Sequence, residues 1–263
     1  MDLKLTKKIA LVTGSTAGIG NAIATSLARE GAGVIVSGRT PAAVDAAVAA
    51  MKAATSGDVK GFAGDLTVAS VAHALVRQHP VVDILVNNLG IFEVKPFEEI
   101  SDADWTRFFE SNVLSGARLA RLYLPAMRQR NWGRIIFISS ESGYHIPAEM
   151  IHYGMTKAAQ VAVARGLAET TAGTGITVNS VLPGPTRSRG VGDFLVEMAA
   201  ASGKSVQTVE SEFFKTARPT SLLQRFATPE EVAAMVTYVA SPLSSATNGA
   251  ALRVDGGTIK TAF

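Results

Sequence analysis

The feature that most constrains the fold is a recurring short run of apolar residues, rich in Val and Ile, that is continuous rather than alternating with polar positions. Each run is followed by a longer segment whose apolar residues are spaced three and four apart, as on one face of a helix. The sequence therefore predicts alternating strands and helices. The predicted strands are residues 9–12, 33–37, 59–63, 83–86, 134–139, 177–182 and 252–254.

A strand that is apolar on both faces is covered on both sides, as in a parallel sheet with helices on each face. The crossover connections in such sheets are almost always right-handed. We therefore expect an α/β fold with a Rossmann-type, doubly wound parallel sheet of about seven strands. Because 47% of the 263 residues are hydrophobic, residues 1–263 are expected to form one domain around a large core.

Residues 187–221 depart from this alternation. They contain glycines, polar residues and two short helical patterns, with no obvious strand between them. Ligands of open α/β sheets bind beyond the carboxyl ends of the strands, where an insertion can cover them. We expect residues 187–221 to be a lid over a substrate site.

Charge and cysteine content argue against several classes of function. The 25 Lys and Arg against 22 Asp and Glu are spread along the chain, which does not indicate nucleic-acid binding. Without cysteine there is no disulfide or thiolate metal site, and no bound metal is expected. No apolar stretch is long enough for a membrane helix, and the first residues lack the apolar segment of a secretory signal. The expectation is a cytoplasmic protein that binds no membrane.

A glycine-rich segment follows the first predicted strand and leads into a helix that runs to about Arg29. Glycine lets the backbone approach a phosphate, and the helix start offers free N–H groups and the positive end of its dipole. This context predicts a turn that binds a dinucleotide, with hydroxyls as further donors; an ordinary tight turn is the alternative. The residues predicted to contact the cofactor are Gly14, Ser15, Thr16, Gly18, Ile19 and Gly20.

The end of the second predicted strand indicates which cofactor is preferred. An acidic residue there would bind the ribose hydroxyls of NAD, but the segment 37–40 contains Arg39 and no carboxylate. A guanidinium is suited to gripping a phosphate. The hypothesis is NADP(H). The alternative is that Arg39 is a solvated loop residue and NAD(H) is also accepted.

Tyr153 and Lys157 lie four residues apart within a helical pattern at 151–171, so they share one face of the predicted helix. Ser140 follows the predicted strand 134–139, at the sheet edge where ligands collect. A phenol titrates near pH 10 and needs a positive neighbour for proton transfer at neutrality. We expect Tyr153 to be the acid–base residue, Lys157 to lower its pKa, and Ser140 to orient the substrate oxygen. The alternative is that Tyr153 and Lys157 are ordinary residues on the surface of a helix and that Ser140 is the hydroxyl of an edge strand.

The glycine turn, Ser140 and the segment Tyr153-Gly154-Met155-Thr156-Lys157, in this order, resemble the classical short-chain dehydrogenase/reductase family. The resemblance covers essentially the whole chain. It implies that Asn112 is a fourth catalytic residue, which holds a water connecting Lys157 to solvent. It also implies that Lys157 and Tyr153 contact the nicotinamide ribose side of the cofactor.

The same resemblance implies further cofactor contacts. Asp65, with Leu66, matches the position that contacts adenine. In Asn87-Asn88-Leu89-Gly90, which matches the family motif after the fourth strand, a leucine replaces the usual alanine. The loop at 183–186 matches the nicotinamide side. The residues implied in these segments are Asp65, Leu66, Asn88, Gly90, Pro183, Gly184 and Thr186.

Several residues near the catalytic segment are candidates for the substrate site. Glu141, Tyr144 and Met150 lie between the serine and the tyrosine and are predicted to form a substrate wall. His145 and His152 flank the same segment and are expected in a loop or pocket wall rather than in a metal site. Apolar residues of the predicted lid could close over a substrate or pack within the lid: Phe194, Leu195, Met198, Phe213 and Phe214.

The sequence thus predicts an NADP-dependent oxidoreductase that moves hydride between nicotinamide and a small carbonyl or secondary alcohol. A non-catalytic, NADP-binding sensor on the same fold is the alternative. The end of the chain, at 252–257, is similar to that of family members that form homotetramers, and a homotetramer is expected. A long helical pattern at 102–130 with apolar residues on several faces is consistent with a subunit contact, and a wide stripe facing the core would give the same pattern.

Overall fold

The architecture is one parallel sheet with helices on both faces, seen in a computed structural model that describes residues 2–55 and 57–262, and only the backbone of Arg189 and Phe194. The strands are β1 (Ile9–Val12), β2 (Gly33–Gly38), β3 (Val59–Ala63), β4 (Ile84–Asn87), β5 (Gly133–Ile138), β6 (Ile176–Pro183) and β7 (Ala251–Val254). Their order in the sheet is β3-β2-β1-β4-β5-β6-β7, and all neighbours pair in parallel. The predicted doubly wound sheet is confirmed, and no strand end differs from its predicted position by more than one residue.

Helices connect the strands and cover the sheet. They are α1 (Gly18–Arg29), α2 (Pro41–Ala54), α3 (Ala69–Gln78), α4 (Asp102–Phe109), α5 (Ser115–Gln129), α6 (Ile151–Glu169), α7 (Arg189–Ser202), α8 (Val206–Thr216) and α9 (Pro229–Ala240). Among the described residues, no helix combines the length and apolar character needed to cross a membrane.

The continuous apolar strands are explained by two separate cores. Successive side chains of a strand point to opposite faces. In β1, Ala10 and Val12 pack in a cluster with α1 and α9, whereas Leu11 packs on the other face with α3, α5 and α6. Each face therefore needs its own apolar residues.

The helical pattern predicted at 102–130 is interrupted by one wide turn. Residues Glu110–Leu114 form a π turn between α4 and α5, in which the Ser115 N–H donates to the carbonyl of Glu110. Single π turns inside helices shift the hydrogen-bond register locally and are frequent at functional sites. The turn contains Asn112, which is 1% exposed.

Residues 187–221 contain α7 and α8, which enclose a small third core. It consists of the buried side chains Leu195, Ala199, Val209, Phe214 and Phe226. This cluster shares no residue with the two clusters of the sheet. The segment lies beyond the carboxyl end of β6, on the side of the sheet where its cleft opens.

Candidate active site

The turn after β1 is held in a conformation that only glycine adopts easily. Gly14 and Gly18 have φ values of +61° and +57°. A Cβ on Gly20 would lie 2.5 Å from both the Asn88 side-chain nitrogen and the Gly14 carbonyl oxygen, so no side chain fits there. The absence of side chains leaves a backbone cradle at the start of α1, which suits a phosphate.

The hydroxyl of Ser15, which is predicted to contact the cofactor, already has partners within the chain. Ser15 is fully buried, and its hydroxyl donates to the Val12 carbonyl at 2.6 Å and accepts from the Ser37 N–H at 3.0 Å. Its side chain therefore fixes the turn against β2 and is not a free donor for a ligand. The neighbouring Thr16 is half-buried and packs against Gly38.

Asn88 ties the strand β4 to the glycine turn. Its side-chain nitrogen donates to the carbonyls of Thr13 and Gly14 at 2.9 and 3.1 Å. The Asn88 and Leu89 N–H groups both donate to the Thr13 hydroxyl at 2.9 Å. Leu89, which replaces the family's alanine, packs partly buried against the sheet core. The motif therefore keeps its contacts with the turn.

Arg39 and Asp65 lie where the sequence predicts, beyond the carboxyl ends of β2 and β3. Both side chains are exposed. The Asp65 carboxylate accepts from the N–H and hydroxyl of Thr67 at 2.9 and 2.7 Å, which fixes its loop, and Leu66 is buried beneath it. The glycine turn, Arg39 and Asp65 lie at one edge of the sheet.

The predicted catalytic residues share one cleft at the carboxyl end of β5. The cleft has a volume of about 440 Å³ and is lined by Ser140, Tyr153 and Lys157 together with Gly90 and the loop 183–186. The Nζ of Lys157 lies 5.5 Å from the centroid of the Tyr153 ring. The Ser139 hydroxyl donates to the Lys157 carbonyl at 2.7 Å, which attaches α6 to the end of β5.

Burial changes the acidity of two of these groups. It lowers the pKa of Lys157 from 10.5 to about 7, because the charged ammonium is less stable away from water. Burial also raises the pKa of the Tyr153 phenol above its ordinary value; the Ser140 hydroxyl and the positive charge of Arg218 oppose that rise, and Glu141 adds to it. The tyrosine thus needs a positive charge nearby to give up its proton near neutrality.

The structure places Gln160 between Asn112 and Lys157. The Nζ of Lys157 donates to the Gln160 side-chain oxygen at 3.1 Å, and the Gln160 side-chain nitrogen donates to the Asn112 carbonyl at 2.6 Å. Lys157 also donates to the Ile138 carbonyl at 2.9 Å. The Gln160 side chain thus links Lys157 to the backbone of Asn112, and the water that Asn112 is expected to hold between Lys157 and solvent stays a prediction. Sequence reasoning missed Gln160, although its position three residues after Lys157 puts it on the same helix face.

The Asn112 side chain bonds to two different segments. Its nitrogen donates to the Ile91 carbonyl and the Thr156 hydroxyl at 3.0 and 2.9 Å, and its oxygen accepts from the Ile91 N–H at 2.7 Å. The Thr156 hydroxyl in turn donates to the Tyr153 carbonyl at 2.7 Å. These bonds hold the π turn, the loop after β4 and α6 at fixed positions around Lys157.

The second residue that sequence reasoning missed is Arg218, which follows α8. Its Nε donates to the Glu141 carboxylate at 2.9 Å, and both side chains are more than nine-tenths buried. The two residues are 77 positions apart, so no local pattern reveals the pair. The ion pair joins residues 187–221 to the segment that carries Ser140.

The predicted substrate wall is present only in part. Glu141 and Met150 line the cleft, as does Glu149. Tyr144 does not: its side chain is 56% exposed and lies outside the cleft lining. The reason is the turn that follows Gly143, a glycine that packs against the backbone of α6 and leaves the next side chain facing solvent. Contact of Tyr144 with a substrate stays a prediction, and in this structure its side chain does not line the cleft.

The apolar residues at 187–221 divide between the two roles considered for them. Leu195 and Phe214 are buried inside the third core. Met198 and Phe213 line the same cleft as Ser140, Tyr153 and Lys157. The side chain of Phe194 lies outside the described residues. Some of these residues therefore pack within the segment and others face the cleft.

The two histidines near the catalytic segment have different surroundings. His145 is exposed in the loop before α6. His152 is fully buried, with its ring centroid 4.0 Å from that of Phe108 and 6.2 Å from that of Trp105, and burial lowers its pKa. It is a core residue of α6 and not part of the cleft wall.

Comparison with known proteins agrees with this arrangement. The family model described as short chain dehydrogenase matches residues 8–199. The chain is 48% identical over 264 residues to the uncharacterized oxidoreductase YvaG of Bacillus subtilis, covering 100% of both chains. It is 34% identical over 260 residues to the D-beta-hydroxybutyrate dehydrogenase of Cupriavidus necator, covering 97% of this chain and 99% of that one.

A solved structure is similar over nearly the full length. The L-sorbose reductase of Gluconobacter frateurii, in complex with NADPH and L-sorbose, superimposes with a TM-score of 0.94 at 30% identity, covering 99% of this chain and 100% of that chain. The fold and the cleft thus define a Rossmann-type oxidoreductase with a nicotinamide cofactor. The chain belongs to the short-chain dehydrogenase/reductase family.

Proposed function

We propose that this protein is an NADP-dependent reductase or dehydrogenase that interconverts a small carbonyl compound and the corresponding secondary alcohol. The observation that carries the proposal is the convergence of Ser140, Tyr153 and Lys157 in one cleft at the sheet edge that also holds the glycine turn. Enzymes of doubly wound folds bind their ligands at this edge. A binding protein without catalysis has no need of a buried lysine beside a tyrosine.

The residues present fit a nicotinamide dinucleotide. The turn at 14–20 offers a cradle that a Cβ would fill, and Arg39 is an exposed cation at the end of β2 with no carboxylate beside it in the segment 37–40. We assign the phosphates to the turn, the 2′-phosphate to Arg39 and the adenine to Asp65 and Leu66. We assign the nicotinamide side to the loop residues Pro183, Gly184 and Thr186 and the nicotinamide ribose to Tyr153 and Lys157. Asn88 and Gly90 are assigned as further cofactor contacts in the segment after β4.

The chain's own residues supply the proton chemistry. When bound, the cofactor gives or accepts a hydride at the carbon of the reacting C–O group. The Tyr153 phenol donates a proton to the substrate oxygen in reduction and accepts one in oxidation. Protonated Lys157 stabilises the phenolate form and so lowers the pKa of Tyr153. Ser140 holds the substrate oxygen in line with the phenol.

Gln160 and Asn112 act through Lys157 in this proposal. The Gln160 oxygen and the Ile138 carbonyl both accept from the lysine Nζ, and both favour its charged form against the effect of burial. Asn112 holds Gln160 through its carbonyl. Helices α7 and α8 are proposed to be a lid, at 187–221, that keeps water from the reacting atoms.

The functions of two similar proteins support this substrate class. One relative is a D-beta-hydroxybutyrate dehydrogenase, and the structure neighbour is an L-sorbose reductase that binds NADPH. Both names describe interconversion of a carbonyl and a hydroxyl group on a small molecule. They support a small-molecule substrate and favour catalysis over the sensor alternative.

The test is replacement of Tyr153 by Phe, which removes only the phenolic oxygen. We expect the variant to bind NADPH, followed by Trp or cofactor fluorescence, while the rate of ketone reduction falls by about 100-fold or more. Tyr144→Phe is the matched control because Tyr144 lies outside the cleft, and it should keep its rate. Full activity of Tyr153→Phe would overturn the catalytic assignment.

A further inference from the structure

The cleft has one strongly polar wall, formed by Glu141, Ser142, Glu149 and Arg218 next to Ser140. The rest of its substrate side is apolar, with Phe92, Val94, Met198 and Phe213 among its lining. Buried charges are costly unless they are paired or serve a ligand. The composition of the polar wall therefore carries information about what the cleft binds.

The Glu141 carboxylate is fixed by three donors. One oxygen accepts from the Arg218 Nε at 2.9 Å, and the other accepts from the hydroxyls of Ser140 and Ser142 at 2.6 and 2.8 Å. Glu141 as a whole residue is only 3% exposed, yet it lines the cleft. The Glu141 carboxylate is bonded directly to Ser140, the residue proposed to hold the reacting oxygen of the substrate.

Arg218 has donors left over after these contacts. Its Nε bonds to Glu141 and one terminal nitrogen donates to the Ala217 carbonyl at 2.8 Å, while that nitrogen lies 3.8 Å from Glu149. The other terminal nitrogen donates to no atom of the described residues. A guanidinium has five N–H donors, and the unused ones of Arg218 belong to a side chain that lines the cleft.

The charges of this wall select against an anionic group. Glu141 and Glu149 together carry two negative charges when ionised, and Arg218 carries one positive charge. A carboxylate on the substrate would meet this net negative wall. A neutral hydroxyl satisfies both kinds of partner, because it accepts from the guanidinium and donates to a carboxylate.

We propose that the wall of Glu141 and Arg218 recognises a hydroxyl group on the carbon next to the reacting carbonyl, so that the substrates are neutral α-hydroxyketones and the corresponding vicinal diols. This inference rests on the proposed function. The hydroxyl hydrogen of Ser140 rotates about the Cβ–Oγ bond, so it turns from Glu141 to the substrate's carbonyl oxygen when the substrate enters. Glu141 then accepts from the substrate's second hydroxyl instead.

The test compares ketones that differ only in this hydroxyl. Hydroxyacetone and 2-butanone have the same number of heavy atoms, as do 1-hydroxy-2-hexanone and 3-heptanone. Pyruvate carries a carboxylate in place of the hydroxymethyl group of hydroxyacetone. With NADPH, we expect kcat/KM to be about 10- to 100-fold higher for each hydroxyketone than for its partner. Pyruvate should be a poorer substrate than hydroxyacetone.

A paired substitution tests the residues. Removing Arg218 alone would leave Glu141 buried and unpaired, so the double variant Glu141→Gln with Arg218→Met is used, because it removes both charges together. We expect it to reduce the preference for hydroxyketones, measured as the ratio of kcat/KM for the two members of each ketone pair, to about threefold or less. The control is Arg187→Met with Glu210→Gln, an ion pair at 187–221 outside the cleft lining, which should keep the preference.

The outcomes separate the inference from the proposed function. Equal kcat/KM for the two members of each ketone pair, or a preference for pyruvate, overturns the inference while leaving the oxidoreductase assignment intact. An unchanged preference in the double variant also overturns it. Failure to reduce any ketone, together with failure to bind NADPH, overturns the proposed function itself.

Discussion

The side-chain oxygen of Gln160 accepts a hydrogen bond from the Nζ of Lys157 at 3.1 Å, while the same side chain donates to the Asn112 carbonyl. An ammonium can only donate and a carbonyl can only accept, so these two neighbours fix which end of the Gln160 amide faces Lys157. Gln160 is 1% exposed and has no freedom to turn. It is a positioning residue for the lysine.

Two substitutions of Gln160 are expected to shift the pH profile of kcat in opposite directions. Gln160→Met removes an acceptor from the Lys157 ammonium and should move the inflection that reports Lys157 to lower pH by about 0.5–1 unit. Gln160→Glu introduces a negative charge and should move it to higher pH. If Gln160 had a purely structural role, the two variants would leave the inflection unchanged or shift it in the same direction. The pH profile of kcat, measured from pH 5 to 10, distinguishes these results.

Arg39 is expected to provide the preference for the phosphorylated cofactor. Replacing Arg39 with Ala should weaken NADPH binding by about 10- to 100-fold and leave NADH binding nearly unchanged, because one charge-assisted contact to the 2′-phosphate is lost. Fluorescence titration at fixed salt measures both affinities.

The matched control for Arg39 is Arg29→Ala. Arg29 is an exposed arginine at the opposite end of α1 from the glycine turn, and its loss removes the same charge. We expect its NADPH affinity to stay within about twofold of the parent. Equal affinity of the parent protein for the two cofactors would show that the 2′-phosphate is not recognised.

Lys157 is expected to lower the stability of the cofactor-free protein at neutral pH. Its pKa is about 7 in the folded chain and 10.5 ordinarily, so between these values the unfolded chain binds one more proton than the folded chain. The free energy of unfolding therefore rises with pH across this window; the cost of burying the charge is complete below pH 7 and gone above 10.5.

Replacing Lys157 with Met should accordingly stabilise the cofactor-free protein by about 1–2 kcal/mol at pH 7. Part of the gain is offset because the Ile138 carbonyl loses its donor. In thermal melts at several pH values, the difference in Tm between Lys157→Met and the parent protein should narrow as the pH rises toward 10.5. Lys52→Met, on the exposed side of α2, is the control and should change Tm little throughout. A difference that widened with pH would contradict the sign of this effect.

A homotetramer is expected in solution. Phe109 and Leu114, in the long helical segment, are 42% and 36% exposed, and β7 lies at an open edge of the sheet. Exposed apolar side chains on one helix and a free strand edge are typical of subunit contacts. Light scattering should give a mass near four times 27.4 kDa. Phe109→Glu with Leu114→Glu should lower it, and a monomeric parent protein would refute the expectation.

The sequence predicts the sheet well because burial on two faces leaves a continuous apolar run, which is visible without any tertiary information. The π turn at Glu110–Leu114 is different, since one extra residue in a helical turn hardly changes the apolar spacing of residues 102–130. The orientation of Tyr144 depends on how closely Gly143 packs against α6, and that contact is set by the fold as a whole.

The candidate site also contains residues that local sequence patterns reveal and residues whose roles depend on tertiary contacts. Ser140, Tyr153 and Lys157 could be located from strand ends and helix spacing, which are local properties. The sequence predicts that the Ser15 hydroxyl contacts the ligand. Its hydrogen bond to the Val12 carbonyl depends on the exact path of the turn, which the sequence does not reveal. Arg218 could not be found from the sequence, because its partner Glu141 is distant along the chain and the pair forms only when α8 folds over the cleft.

The separate apolar core at 187–221 has a consequence for how such enzymes diversify. Since Leu195, Val209 and Phe214 pack with each other and not with the sheet, substitutions among them need not be compensated in the half of the protein that holds the cofactor. A change of substrate can therefore evolve largely within α7, α8 and the residues that follow them as far as Phe226. The exception is Arg218, whose buried ion pair with Glu141 crosses from this region to the segment of Ser140, so an exchange between relatives has to keep that pair.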